Sequence, residues 1–278
     1  ATDRAMMQRV SRGMAATVAS WGLVCDGMSS SSPFRVKFFL SGSVERLAWA
    51  KENGAPWDDD KKPYSFCATA ASVGNLEVLK WLRTKDNNCT WDAHCCALAA
   101  QFGQLHCLKY ARENGCPWNA LVCAFAAQGG HMEVLKWARE NGATWDPWTC
   151  ERAAHGGHLE MLKWLRERNC PWNETALSAA AEGGHMEVLR WAHDNECPCD
   201  LHACGTAAAL GGSLDALMWA EQQGAPFDTH TCMTAAEGGH LEVLKWLLAN
   251  GCPFDAMCCA DAATGGHMEV LKWAPKNN

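Results

Sequence analysis

Residues 149–165 read TCERAAHGGHLEMLKWL, and close copies of this string recur along the chain. In each copy a glycine is followed by a helix-like segment that carries an aromatic residue in its second half. A repeat with a period of this length predicts a stack of similar supersecondary units. The nine marker glycines, spaced 27 to 32 residues apart, are Gly42, Gly74, Gly103, Gly130, Gly157, Gly184, Gly212, Gly239 and Gly266.

Each copy encodes two short helices. A His, Ser or Asn follows the marker glycine and an acid comes two positions later in eight copies, so we interpret residues such as His131 as N-caps of the helix that follows. That helix ends at a pair such as Asn141-Gly142, where Gly adopts the left-handed conformation cheaply. In the next segment, residues 116–119 for example, Pro prevents helix continuation and Asn caps the next helix. The pattern predicts an all-α chain.

The helix before each marker glycine, here termed the first helix, has two kinds of position. An Ala pair lies four and three residues before the glycine, and Cys is common seven residues before it, which predicts a buried stripe of small residues. The residues nine, five and two positions before the glycine vary from copy to copy and form a second stripe, termed the ridge. Because stacking does not restrict them, we predict that they bind a partner. The candidate partner-binding residues are His94, Leu98, Leu121, Phe125, Trp148, Arg152, His155, Glu182, His230 and Met257.

The string T-x-x-x-A-A-x-x-G-H-L-E-V-L-K-W-L-x-x-N-G resembles the ankyrin repeat over about 235 residues. Ankyrin units usually have about 33 residues, and the residues missing here fall where that family has its β-hairpin finger. A Cys-Pro-Trp segment replaces the finger. The resemblance implies an ankyrin-like α-solenoid of about nine helix-turn-helix repeats. It also implies a protein-binding scaffold whose partners lie along the first helices.

Composition excludes several other classes of function. The chain of 278 residues has 24 basic and 31 acidic side chains, which disfavours a nucleic-acid binder. Charged residues interrupt every apolar stretch, so no transmembrane helix is expected. We find no nucleophile elbow, phosphate loop or spaced metal motif outside the repeat, and therefore predict no enzyme activity, no cofactor and no metal site.

The 17 cysteines could indicate disulfides or zinc. Equivalent cysteines of consecutive units, such as Cys123 and Cys150, are expected roughly 8–10 Å apart, too far for a disulfide. Cys and Ala exchange in the turn, which indicates a small core residue and reduced thiols in an intracellular, reducing compartment. The best zinc candidate, Cys197 to Cys204 with His202, uses only positions that belong to the repeat, which favours packing.

Residues 1–41 do not fit the repeat. We predict that they form an N-terminal cap with a degenerate first helix, and that residues 42–278 form the solenoid. Arg4, Arg9 and Arg12 among many serines resemble an organelle transit segment. The cytoplasm and a chloroplast or other organelle stroma therefore both remain candidate locations.

Two functional hypotheses follow. The first is a non-catalytic scaffold that binds other proteins along the ridge, with Trp148 as the anchor because a ridge position does not require a large aromatic residue for packing. The alternative is a permanent linker or assembly subunit of a large complex, such as an organellar photosynthetic membrane complex on which this chain docks. The 15 tryptophans and the transit-like N-terminus motivate this alternative.

Overall fold

The computed structural model describes residues 43–45, 47–48, 66–84 and 89–274; the predicted N-terminal cap lies outside these residues. The described part contains sixteen named α-helices and no β-strand, which confirms the all-α class. The helices are α1 Phe66–Ser72, α2 Leu76–Leu82, α3 Ala93–Gln101, α4 Leu105–Glu113, α5 Leu121–Gln128, α6 Met132–Glu140, α7 Pro147–His155, α8 Leu159–Glu167, α9 Glu174–Glu182, α10 Met186–Asp194, α11 Leu201–Gly211, α12 Leu214–Gln222, α13 Thr229–Glu237, α14 Leu241–Ala249, α15 Ala256–Thr264 and α16 Met268–Trp273.

The helices form two layers. Odd-numbered helices are the first helices of successive units, and even-numbered helices are the second helices. Each internal first helix packs along the first helices of both neighbouring units and against its own second helix, whereas α1 and α15 each have one such neighbour among the described helices. The second helices contact one another only weakly. The structure is therefore a solenoid whose first-helix layer is tightly packed and whose second-helix layer is more widely spaced.

Small side chains explain the close packing of the first helices. Cys150, Ala153 and Ala154 of α7 are completely buried, as are their counterparts in most units. Without bulky side chains in the contact, neighbouring helix backbones approach closely and pack at the density of a protein interior. In the last described unit Ala263 is exposed, because no described helix packs against α15 from its other side. The predicted small-residue stripe is thus confirmed for the internal units.

Polar side chains begin the first helices and end the second helices largely as predicted. Asp92 Oδ1 accepts a hydrogen bond from the His94 amide at 3.0 Å, and the same type of cap occurs at Asn119, Asp200, Asp228 and Asp255. At the end of α6, Asn141 Nδ2 donates to the Trp137 carbonyl at 2.8 Å, and Gly142 has a φ of 87°. Side chains and a left-handed residue thereby satisfy backbone groups that a short helix leaves unpaired.

The repeated histidines occupy the N-cap positions of the second helices as predicted, but the interpretation that their side chains cap these helices is wrong. His158 begins α8 but makes no side-chain bond to that helix. Its Nε2 instead lies 3.0 Å from the carbonyl oxygen of Gln128, the last residue of α5 in the preceding unit. Since a carbonyl can only accept, Nε2 carries the proton and donates it. The same bond, 30 residues back along the chain, is made by His185, His240 and His267.

Two residues in the histidine position do cap their own helices. Asn75 Oδ1 accepts from the Val78 amide at 3.1 Å, and Ser213 Oγ accepts from the Ala216 amide at 3.3 Å. Both side chains are shorter than imidazole, which is long enough to reach a carbonyl of the preceding unit. The sequence position therefore serves two different purposes, depending on the length of its side chain.

The marker glycine makes room for the histidine of the next unit. Gly130 has a φ of 73°, a conformation that favours glycine. A Cβ atom at Gly130 would lie 2.5 Å from Cε1 of His158. Gly103, Gly157, Gly212 and Gly239 make the same close approach to His131, His185, His240 and His267. The glycine is therefore required both for its backbone conformation and for the space that it leaves.

The Cys-Pro-Trp segment connects neighbouring second helices. The Trp145 ring lies between Arg139 of α6, whose guanidinium carbon is 3.8 Å from the ring centroid, and Trp164 of α8, whose ring is 6.0 Å away in a T-shaped contact. Arg139 Nη1 also donates to the carbonyl of Ala143 in the same turn. The aromatic residue of a second helix, here Trp164, therefore has a structural role in joining consecutive units. The other aromatic pairs are Trp91–Tyr110, Trp118–Trp137, Trp172–Trp191, Phe227–Trp246 and Phe254–Trp273.

We expect Ala153→Glu to destabilise the fold by about 3 kcal/mol or more, because it places a carboxylate without a partner in the tightest helix contact. Thermal unfolding followed by circular dichroism measures the effect. Ala249→Glu is the control, since Ala249 is exposed at the end of α14. Equal melting temperatures for the two variants would contradict the assignment of the buried stripe.

We expect His158→Ala to cost about 1–2 kcal/mol, because the Gln128 carbonyl loses its imidazole donor. His158→Asn separates the two roles of this position, since Asn can cap α8 as Asn75 caps α2 but cannot reach α5. Both variants should unfold earlier than the wild type in chemical denaturation. Full recovery of stability in His158→Asn would show that capping is the role that matters.

Candidate partner-binding surface

The structure places the ridge on the solvent-facing side of the first helices. None of the ten candidate residues is buried: His94, His230 and Met257 are exposed, and the other seven are half-buried. Two further ridge residues, Ala179 and Thr234, are buried. The ridge is therefore interrupted along its length, and the partner-binding role of its residues stays a prediction.

An aromatic cluster forms the centre of the ridge. Trp148 of α7 makes a T-shaped contact with Phe125 of α5, with ring centroids 5.7 Å apart. The guanidinium carbon of Arg152, one helical turn further along α7, lies 4.6 Å from the Trp148 ring. Packing against Phe125 and Arg152 thus accounts for part of the environment of Trp148, contrary to our reading of it as a residue that packing does not explain. We term these three residues the Trp148 cluster.

A charged group borders the Trp148 cluster. Arg152 Nη2 is 3.7 Å from Glu151 Oε1, and Thr175 of α9 donates from Oγ1 to Glu151 Oε2 at 2.6 Å. Arg152 Nε is buried and has no hydrogen-bond partner within the described structure. A buried donor without an acceptor costs free energy, whereas the Arg152 side chain as a whole is 27% exposed.

Sequence reasoning missed Glu151. It lies six residues before the marker glycine Gly157, outside the ridge spacing. The signal was available, since the same position holds Ala97, Ala124 and Ser178 in other units. No other unit has an acid in this position, so Glu151 indicates a local function or a local ion pair, and the structure shows the ion pair.

The turn cysteines have a structural role that the exchange of Cys with Ala did not reveal. Cys116 Sγ donates to the carbonyl of Asp92 at 3.2 Å, which is the N-cap residue of the preceding first helix. The corresponding bonds of Cys170, Cys197 and Cys252 reach the carbonyls of Asp146, Asn173 and Asp228.

Burial makes most of the described cysteines poor nucleophiles. It raises the pKa of Cys107 to about 11 and that of Cys123 to about 12. Only a small fraction of such thiols is deprotonated near neutral pH. Within the described residues, which include the candidate zinc residues, no group of three or more His, Cys, Asp or Glu side chains is arranged to hold a metal ion.

The second-helix side presents two shallow grooves of about 390 and 380 Å³. The first is lined by Lys163, Arg166, Trp172 and Trp191 among others, and the second by the equivalent residues one unit earlier. Arg166 stacks on Trp172 and donates to the Cys170 carbonyl, so its guanidinium already holds the turn. These grooves follow from the packing of the turns. Across the described segments, no helix has the length and apolar character needed to cross a membrane.

Comparisons with known proteins identify the repeat. Residues 150–256 match a family model described as ankyrin repeats in three copies, and residues 122–166 match one described as ankyrin repeats in many copies. Among solved structures, the human ASB11 ankyrin repeat domain is similar with a TM-score of 0.42 and 20% identity, over 57% of this chain and 84% of that chain. A comparison with curated protein sequences gave no match. The family models and the repeated unit together identify residues 122–256 as ankyrin repeats.

Proposed function

We propose that this protein is a non-catalytic scaffold that binds partner proteins along the ridge of its first helices, with the Trp148 cluster as the anchor. Ankyrin repeat domains are typically non-catalytic modules that mediate protein–protein interaction. The observation that carries the proposal is the half-buried Trp148, which contacts both Phe125 and Arg152 on the solvent-facing side of the solenoid.

The Trp148 cluster has the chemistry of an interface hot spot. Trp, Tyr and Arg contribute most of the binding energy in many interfaces, particularly where surrounding contacts exclude water. Phe125 and Arg152 restrict the motion of the Trp148 side chain before any partner arrives. A pre-ordered side chain loses less conformational entropy on binding, which leaves more of the contact energy available for affinity.

The same cluster suggests the chemistry of the partner. Half-buried Leu98 and Leu121 extend the apolar surface towards the N-terminal units, which favours an apolar side chain in the partner. Arg152 Nε has no acceptor within the described structure, and its charge is only partly balanced by Glu151. We therefore expect the partner to place an apolar residue near Trp148 and a carboxylate or carbonyl near Arg152.

The second-helix surface is a weaker candidate because its most distinctive side chains are already engaged. Arg83, Arg112, Arg139 and Arg166 stack on the turn aromatics, and the tryptophans pair with one another across the units. On the ridge, by contrast, the side chains of His94, His230 and Met257 are exposed. This asymmetry supports the first-helix side as the binding surface.

The assembly-subunit alternative has one specific observation in its favour. Met257 and Met268 of the last described unit are 54% and 58% exposed, and Ala263 beside them is exposed as well. Apolar side chains in this position would suit a permanent neighbour. The buried thiols described above favour a reducing compartment for either function.

The proposal is tested by the double variant Phe125→Ala with Trp148→Ala. Affinity purification of the full chain from its source, followed by mass spectrometry, should recover partner proteins with the wild type and lose them at least ~10-fold with the variant. The melting temperature should fall by only a few degrees, because both rings are half-exposed and their mutual contact is worth about 1 kcal/mol.

The matched control is Glu133→Ala with Arg190→Ala, two exposed second-helix residues whose joint removal leaves the net charge unchanged. It should retain the partners. Equal recovery with the ridge variant, or loss with the control, would contradict the ridge as the binding surface. A stoichiometric set of membrane or pigment-bearing subunits that depends on neither pair would favour the assembly-subunit alternative.

A further inference from the structure

The structure places pairs of cysteines in contact that do not occupy equivalent positions of the repeat. The first-helix cysteine of one unit meets the turn cysteine of the next, 20 residues further along the chain. Cys232 Sγ of α13 lies 3.0 Å from Sγ of Cys252, which precedes α15. The equivalent pairs in other units are Cys96 with Cys116 and Cys150 with Cys170, and in the second of these Cys150 Sγ donates to the Cys170 carbonyl at 3.9 Å. Comparison of equivalent positions in consecutive units does not find these pairs.

One pair differs from the others in accessibility and in acidity. Cys232 is completely buried but Cys252 is 8% exposed, whereas Cys116 and Cys170 are 0% exposed. The hydrogen bond from Cys232 lowers the pKa of Cys252, while hydrogen bonding and burial raise the pKa of Cys116 and Cys170. Cys252 is therefore the turn thiol that is best placed to ionise and to meet a small oxidant from solution.

We propose that Cys232 and Cys252 form a covalent modification site, in which a low-molecular-weight disulfide such as oxidised glutathione converts the two thiols into an intrachain disulfide that joins consecutive units. The proposal rests on the contact between the two sulfur atoms and on the partial exposure of Cys252. It is independent of partner binding at the ridge.

The reaction proceeds by two thiol–disulfide exchanges. The Cys252 thiolate attacks one sulfur of oxidised glutathione, forming a mixed disulfide and releasing one glutathione thiolate. Cys232 then loses its proton, and its thiolate attacks Cys252 Sγ and releases the second glutathione thiolate. Two protein thiols are oxidised, one glutathione disulfide is reduced to two glutathione molecules, and these take up the two protons.

The two sulfur atoms are already in contact before oxidation. The sulfur atoms move from 3.0 Å to the roughly 2.05 Å of a disulfide. Cys252 gives up the hydrogen bond that its thiol donates to the Asp228 carbonyl at 3.0 Å. The link closes a loop that contains the whole of α14, so it restricts the unfolded chain and holds the second helix in its unit.

The test uses the full chain, incubated under native conditions with oxidised glutathione, then acid-quenched, unfolded, alkylated and digested for mass spectrometry. We expect a peptide pair linked through Cys232 and Cys252 that has lost two hydrogen atoms and that a reducing agent separates. The melting temperature of the oxidised protein should rise by ~5 °C.

Two variants keep the test decisive. Cys252→Ala should fold, because Ala143 and Ala225 occupy the same position in other units, and it should show neither the link nor the rise in melting temperature. Cys199→Ala removes an exposed thiol that lies outside this pair and should leave the link intact. A stable mixed disulfide at Cys252 with Cys232 unmodified would overturn the proposal. Recovery of both cysteines as free, alkylated thiols or a disulfide between Cys252 and Cys258 would also overturn it. A rise in the melting temperature of Cys252→Ala after the same oxidation would do so too.

Discussion

The contact on which the solenoid depends is the imidazole of one unit against the marker glycine of the unit before it. His158 fills the space that the absent side chain of Gly130 leaves and donates to the last carbonyl of α5. One residue thereby determines the approach of two units and satisfies a helix end that would otherwise lack a partner. The same contact recurs at His185, His240 and His267, so several successive pairs of units are stacked by the same local interaction.

The two layers of the solenoid are held by different forces. Close packing of Ala and Cys joins the first helices, whereas stacks of Arg and aromatic rings join the second helices through the turns. Arg139 and Arg166 each donate a hydrogen bond to a turn carbonyl as well as stacking on the aromatic ring of that turn. Neither type of contact uses the solvent-facing side of the first helices. A binding surface can diversify there without loss of the repeat.

Departures from the repeat identify where individual units differ. The unit that ends at Gly212 has Ser213 in place of His, Gly205 in place of the buried Cys, and a longer first helix, α11. The ring of Phe227 takes up the space beside Gly205, and His193 replaces a turn aromatic as the partner of Trp219. In the Trp148 cluster and at Glu151 the departures lie on the ridge side instead. Substitutions of this kind change local contacts and surface chemistry while the stacking of the units is kept.

The sequence by itself determined the period, the all-α class, the helix boundaries and the buried Ala-Ala stripe, because each follows from local chemistry repeated many times: caps, Pro and Gly in the turns, and 3.6-residue periodicity. Tertiary structure alone decided what lies across the gap between units. The His158 to Gln128 bond spans 30 residues, the contact between Cys232 and Cys252 spans 20, and the packing of Trp148 on Phe125 joins two different helices. Such contacts depend on the rise and rotation from one unit to the next, and these are set by packing. No residue spacing within a single unit reveals them.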